Sequence, residues 1–503
     1  MKNIIILLLM TTLCPMTACN DFLDKMPDNR AELNTEQKIT NLLVSAYPTA
    51  SYMAIAELMS DNIADNGPLY TYFSLFVQQC YNWEEISENS QDTPYHIWEQ
   101  CYLAIASANY ALKAIEEIGE ENCKAQKGEA LLCRAYAHFI LVNVFCQHFN
   151  EQTSNMDMGI PYVEEPETVV FKNYERGTVA EVYEKIARDI EEGLPLINDQ
   201  FYEVPKYHFN YQAACAFAAR FYLYYRKYDN TIKYATLALS DTPSEVLRDY
   251  IGDAQISDFD WRYTQYCNAE LRCNLLIITA LSDWSVIHGP YLIHGDMGKR
   301  YRHTQEIAKE GTIWSSGIWG NQLSVYNTVF GDAQKLCFPK LGAFIEYTDK
   351  VAGTGFRHIV QTVFTTDEAL LCRAEAYVYQ ENYPLALADM SLWLKGHSST
   401  GVNLSQDIIN NYYAQDVPSK KALHPKFQLK PGLQENFIHF ILHCRRIETI
   451  HEGLRWFDIK RYGIEVVHNH YESNDDILTV DDPRRAIQLP AEVISTGIPA
   501  NPR

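Results

Sequence analysis

The chain has 503 residues, 47% of them hydrophobic, and a formal net charge of −22, so it can bury a sizeable core. So acidic a balance, with no basic stripe and no nucleic-acid motif, excludes binding to a phosphate backbone. Its 34 Tyr, 21 Phe and 8 Trp suit a soluble recognition surface for a neutral or cation-tolerant ligand, with most of these rings still expected in the core.

Residues 1–18 read as an export signal, with Lys2 as the basic start and Ile4–Leu13 as an apolar run too short to span a bilayer. Met16-Thr17-Ala18 places small residues directly before Cys19, as a lipoprotein signal peptidase requires, whereas bulky Leu13 makes Cys14 the poorer acceptor. Helix is expected over Glu36–Leu58, where Ile39, Leu42, Leu43 and Ala46 share helical spacing. Asp61–Ser90 reads as loop, carrying Asn66-Gly67-Pro68 and then Tyr70, Tyr72, Tyr81 and Trp83. Thr93-Pro94 opens a long helix to about Gly119, and Lys127–Phe149 forms a second that should fold back on it. Pro161–Lys172 is an extended connection, after which Thr178-Val-Ala-Glu181 is a capping box for a helix ending near Leu194.

Asn210–Arg226 and Asn230–Ser240 predict a further helical hairpin, and part of it recurs. Ala219-x3-Leu223-x4-Tyr228-x3-Ile232 matches Ala374-x3-Val378-x4-Tyr383-x3-Leu387 at an offset of 155 residues. Small residues at a helix crossing followed by an aromatic at the turn are what tetratricopeptide-type hairpins need. Thr365-Thr-Asp-Glu368 would cap the second copy. Between the copies, residues 251–364 change character, being rich in glycine and holding Trp261, Trp284, Trp314 and Trp319. Leu275–Leu281 and Phe338–Leu341 are candidate short strands there. The expected organisation is therefore a signal at 1–18, helical hairpins over 19–250, an irregular insertion at 251–364 and a C-terminal region at 365–503.

Near the end, Arg445–Gly463 packs Arg445, Arg446, Arg455 and Arg461 against Glu448, Glu452 and Asp458, with Trp456, Phe457 and Tyr462 between them. Arg445 and Glu448, Arg455 and Asp458, and Asp458 and Arg461 are one-turn neighbours on a helix. The spacing reads as a charge-laced structural clamp. Glu448-x3-Glu452-Gly453-x-Arg455-Trp456-Phe457-Asp458-x2-Arg461-x-Gly463 resembles the C-terminal signature of the SusD/RagB family of surface-exposed nutrient-binding lipoproteins. Cys19-Asn-Asp-Phe-Leu23 is similar to the family's mature start. The Trp98, Tyr102, Ile105, Asn109 helix, the Glu129, Arg134, Ala135, Tyr136 helix and the closing Ile487-Gln-Leu-Pro490 and Asn501-Pro502 resemble the family's in order.

That resemblance implies a mostly α fold of tetratricopeptide-like hairpins, with the irregular insertion facing the ligand. It implies lipid on Cys19, anchorage at the outer membrane facing the exterior, and a SusC-like TonB-dependent transporter as partner for a captured glycan. Peptide binding on the same fold, an envelope scaffold and a surface glycosidase are the alternatives. No cofactor is expected.

Catalytic and metal motifs are sparse. His439-x3-His443 beside Cys444 lacks the glutamate of a zinc-protease helix. Asp258 and Asp260 lack the rest of a calcium loop, Gly353-Thr-Gly355 is no phosphate cradle, and Trp314-Ser-Ser-Gly is no nucleophile elbow. Glu84-Glu85 and Glu116-Glu117 read as solvated faces. The thirteen cysteines show no Cys-x-x-Cys; Cys133, Cys215 and Cys372 fit helical packing, and a Cys267–Cys273 disulfide stays open. Sugar binding needs flat rings bordered by donors and acceptors. The candidates are Trp83, Tyr81, Tyr70 and Tyr72 in the first loop and Trp284, Tyr291, Trp314 and Trp319 in the insertion, with Asn66, Asp283, Arg300 and Asn321 as polar partners.

Overall fold

The computed structural model describes residues 33–68, 74–167, 173–285, 300–303, 318, 323, 328–329, 336–398, 403–471 and 473–503. Helices dominate. Helix α1 (Glu36–Leu43) starts at Thr35, whose hydroxyl accepts from the Lys38 N–H. The single helix expected over Glu36–Leu58 is divided: a 3-10 turn at Val44–Ala46 precedes Pro48, and α2 (Met53–Leu58) restarts beyond it. Pro48 cannot donate to a helical ladder, and Ala50 bridges instead to Leu281. Another short helix, α3 (Leu75–Tyr81), lies in the stretch read as loop and is started by Ser74.

Helix α4 (Pro94–Ile118) carries its proline at the first position, behind the Thr93 cap, and folds back through a short turn onto α5 (Lys124–Phe145). The reciprocal Thr178–Glu181 capping box is present and opens α6 (Val179–Gly193). This helix packs on α5, where Arg134 grips buried Asp189 through bonds of 2.7 and 2.8 Å.

The repeat is structural. Helix α7 (Tyr211–Tyr224) pairs with α8 (Tyr228–Leu239); past α9 (Phe259–Tyr266), α10 (Thr366–Tyr379) pairs with α11 (Tyr383–His397). Both first helices have 14 residues, and Tyr228 and Tyr383 each begin the second. The turn residues Arg226 and Glu381, related by the same offset, both adopt left-handed backbone with φ of 62° and 58°. Buried Ala219 and Ala374 supply the small crossing positions. Thr365 caps α10 by accepting from the Glu368 N–H at 3.2 Å, while the Glu368 carboxylate is turned to buried Arg220 at 2.5 to 3.0 Å. Helices α12 (Gln406–Tyr413), α13 (Leu433–Glu448) and α14 (Leu454–Tyr462) complete the C-terminal part.

Strands are few and mostly short. β1 (Ala64–Asp65) pairs antiparallel with β3 (Tyr301–Arg302); β2 (Asn274–Leu281) matches the expected strand. β4 (Thr328–Val329) pairs with β5 (Leu336–Cys337), and the main sheet is antiparallel in the order β2, β7 (Thr354–Thr365), β6 (Gly342–Asp349). A last ladder joins β8 (Val466–His468) to β9 (Asp476–Leu478). Phe338–Leu341 is not a strand but a turn: the Lys340 N–H bonds back to Phe338 at 2.9 Å. Its ammonium is buried on Glu448 O at 2.6 Å and Glu452 at 3.0 Å.

The main hydrophobic core runs from Ile39 to Leu489 and takes in helices and main sheet alike. Phe364 of β7, for instance, meets Tyr136 and Phe217 at 5.6 and 5.7 Å. Cys267 and Cys273 carry free thiols, as do Cys133, Cys215 and Cys372. No described helix is long and apolar enough to cross a membrane.

Candidate functional site

The site is built upward from the turn between α13 and α14. Gly453 there has φ of 74°, and an added Cβ would lie 3.0 Å from Ala56 Cβ and from the Met53 backbone, so only glycine lets the turn approach α2 so closely. The contact brings the turn onto Glu57, whose carboxylate is fully buried. Glu57 accepts from the His451 N–H at 2.9 Å, the Gly453 N–H at 3.1 Å and the Asn62 amide at 3.0 Å. His303 Nε2 completes the set at 2.9 Å.

The same turn holds Trp284. Its indole N–H donates to His451 O at 3.0 Å, and its ring stacks on the His451 imidazole at 4.7 Å. The His303 ring lies 5.5 Å from that imidazole. Trp284 and His303 bracket residues 285–302, so both ends of that stretch rest on one turn of Arg445–Gly463.

Most charges of this stretch are paired, largely over long range, while Lys460 donates to Asn143 O and Cys146 O at 2.6 Å. Arg445 Nε donates to Asp458 at 2.9 Å, and Arg461 reaches Asp458 at 2.7 Å and Glu375 at 2.8 Å. Arg455 grips Asp61 with two bonds of 2.9 Å rather than its one-turn neighbour Asp458. Glu448 accepts from Tyr250 at 2.5 Å and Trp393 at 2.8 Å, and Glu452 from Tyr266 at 2.5 Å. Trp456 is fully buried.

Above this platform two candidate segments meet. Arg300 forms a bidentate pair with Asp65 at 2.8 and 2.9 Å. Both the Asn66 backbone N–H and its side-chain amide donate to Arg300 O, at 2.8 and 3.0 Å. Asn469 locks the junction by donating to Asp65 O at 2.9 Å and contacting the Tyr81 hydroxyl at 3.0 Å. The base of the first loop and Arg300 in the middle of the insertion are thereby joined.

Asp92 makes the third connection. Its buried carboxylate accepts from the Ser282 hydroxyl at 2.5 Å and the Asp283 N–H at 2.8 Å. Burial pushes this acid up to about 7, although both donors act to lower it. A folded-state value above the ordinary aspartate value near ~4 means the folded protein holds a proton that the unfolded chain releases. Stability contributed here is therefore present below about pH 4 and lost as pH rises towards 7. Asp92→Asn keeps an acceptor and tolerates the φ of 67° at this position. Its melting temperature, measured from pH 4 to 8, is expected to gain on the parent as pH rises; a constant difference would contradict this.

Three aromatic candidates are packed rather than presented. Trp83 donates to Met59 O at 3.0 Å and stacks on His468 at 4.1 Å, with one edge on a cleft of about 120 Å³ between residues 84–95 and 484–494. Tyr81 stacks on the other side of His468 at 4.1 Å, and both Tyr81 and Trp284 are fully buried. Of the polar candidates, Asn66 and Arg300 come together, while Asp283 pairs with Arg357 at 2.9 Å, both half-exposed. Tyr70, Tyr72, Tyr291, Trp314, Trp319, Asn321 and Cys19 lie outside the described residues. Glu57, Asp65, His303, His451 and Asn469 organise the site but stand in no motif.

Among the described residues no group of three or more His, Cys, Asp or Glu could hold a metal ion. His443 instead contacts the Tyr413 hydroxyl at 3.0 Å, and Asp258 caps α9 by accepting from the Trp261 N–H. Glu84, Glu85, Glu116 and Glu117 are solvent-exposed.

Residues 21–223 match a SusD-like family model described as starch-binding, associating with the outer membrane. No curated protein matches the chain. Among solved structures, a SusD superfamily protein from Bacteroides thetaiotaomicron is similar at 16% identity and a TM-score of 0.68, over 94% of this chain and 100% of that one. A SusD superfamily protein from Bacteroides vulgatus is 19% identical with a TM-score of 0.65, over 93% and 99% of the two chains. A SusD-like carbohydrate binding protein from Bacteroides vulgatus is 15% identical with a TM-score of 0.55, over 89% of each.

Proposed function

We propose that the chain is a SusD-like protein that captures an oligo- or polysaccharide outside the outer membrane and hands it to a SusC-like TonB-dependent transporter. It is held there by lipid on Cys19 and passes the sugar on intact. The observation that supports the reading is the junction of Asn66 with Arg300, where the first loop meets the insertion. Hydroxyl-rich ligands need such closely spaced donors and acceptors around flat rings. Asn66, Asp283 and Arg300 are accordingly proposed as polar contacts for the ligand.

The test uses the full-length protein in detergent against a panel of neutral polysaccharides and peptides, following both binding and product release. Retention by at least one polysaccharide without new reducing ends is the expected result. Hydrolysis would remove the pure-binding reading, and retention by peptides alone would change the ligand class. In the same cells, labelled palmitate should enter the parent and not Cys19→Ala, and a TonB-dependent barrel should co-purify with the parent.

A further inference from the structure

The hairpin of β6 and β7 exposes more apolar surface than its role in the sheet requires. Phe344 is 53% exposed, Tyr347 48% and Phe356 55%, with Ile345 and Val351 also open to solvent. Large rings on a soluble surface mark contact sites when they cluster. Strand alternation sorts them by face. Ile345 stands opposite Arg357 and Tyr347 opposite Gly355; on the reverse face Phe344 stands opposite His358 and Phe356 opposite Glu346.

The two faces differ in what lies beside the rings. On the Tyr347 face, Gly355 has no side chain to cover the ring, and a Cβ there would lie 2.1 Å from Glu346 O, so the open flank is imposed by the close backbone approach. Beside it Arg357 pairs with Asp283 at 2.9 Å. Asp283 follows directly on Ser282, which Asp92 fixes at the base of the candidate site. This face therefore adjoins, through the next residue Trp284, the turn on which the candidate site is built. The reverse face carries the Glu346–His358 pair at 2.9 Å beside its two phenylalanines.

We infer that the Tyr347 face of the hairpin, with Ile345, Arg357 and Asp283, is a subsite for an extended neutral glycan leading into the candidate site; this rests on the carbohydrate reading above. Three features select that occupant. The charges on the face neutralise each other, so nothing there attracts an ion. The half-exposed guanidinium and carboxylate keep donors and acceptors free at their outer edges for hydroxyls. A phenol ring with an open flank offers the apolar platform that the C–H face of a sugar covers.

The experiment runs parent, Tyr347→Ala, Arg357→Gln and Phe356→Ala as full-length proteins on native gels cast with soluble starch, xyloglucan or galactomannan. All three positions are at the surface, and circular dichroism melts should coincide. Tyr347→Ala is expected to weaken retention about tenfold or more, the size of an aromatic hot spot, and Arg357→Gln to weaken it less. Phe356→Ala on the reverse face should bind like the parent. If the parent is retained and Tyr347→Ala is retained equally, the subsite is wrong while the carbohydrate reading stands. Loss in Phe356→Ala alone likewise overturns it. No retention of the parent on any of the three gels overturns the subsite and the carbohydrate reading together.

Discussion

Asp458→Ala is expected to lower the unfolding free energy by about 3–5 kcal/mol, the cost of leaving a buried cation without its partner. Asp458 is fully buried and receives both Arg445 and Arg461. Arg461 keeps Glu375 when Asp458 is removed. Arg445 is left with Cys372 Sγ at 3.5 Å and Glu368 at 3.8 Å, the latter already taken by Arg220. The loss should therefore fall mainly on Arg445, and the double variant Arg445→Met with Asp458→Leu should recover a large part of it. Urea unfolding of the three proteins measures this; an Asp458→Ala change below about 1 kcal/mol would remove the pair from the stabilising framework.

Acid dependence follows from the same pair. Burial alone would raise the Asp458 acid, but Arg445 and Arg461 outweigh it and hold the carboxyl below its ordinary value. Asp61 is held low in the same way, against burial, by Arg446 and Arg455. Depressed folded-state values contribute stability above about pH 4 that disappears as pH falls through them. The parent should lose stability on acidification below about pH 4 more steeply than Asp458→Ala does. Asp92 acts with the opposite sign, because its folded-state value is raised.

What could be read in the sequence was mostly local. Thr93, Thr178 and Thr365 announce helix starts because the cap chemistry lies within three residues. The repeat is legible because small crossing residues and the tyrosine opening the next helix recur at fixed spacing, and Arg226 and Glu381 show that even the turn conformation recurs. The hairpin of β6 and β7 escaped because its outer half is exposed on both faces, so Ala343–Asp349 shows no alternation of apolar and polar residues. Phe338–Leu341 misled because a short apolar run around a proline reads as strand, while buried Lys340 needs Glu452 far along the chain. Trp83, Tyr81 and Trp284 looked presentable for the same reason: their covers, His468 and His451, are more than 160 residues away. Family resemblance located the Arg445–Gly463 stretch, but Arg455–Asp61 and Glu57–Gly453 could be known only from the folded chain.

Glu57→Ala should be the change that links this framework to the candidate site. Four donors converge on the Glu57 carboxylate, and deleting it strands two backbone N–H groups in the interior and removes the acceptor facing His303 Nε2. Each unsatisfied buried group costs about 1–3 kcal/mol, so a total loss of roughly 3–5 kcal/mol is expected after partial relaxation. The loss should be uneven. His303 has its ring bond to Glu57, and Trp284 depends on the turn that Glu57 holds through His451 and Gly453. Hydrogen exchange should therefore accelerate most at residues 282–284 and 300–303, and much less in α8, which packs on α7 and α10. Glu57→Gln should fall between, since an amide keeps one acceptor oxygen but turns an N–H₂ towards donors. Uniform acceleration across the chain would mean that Glu57 supports global stability alone. Selective acceleration beside weakened polysaccharide retention would mean that the turn sets the geometry in which Asn66, Asp283 and Arg300 meet a ligand.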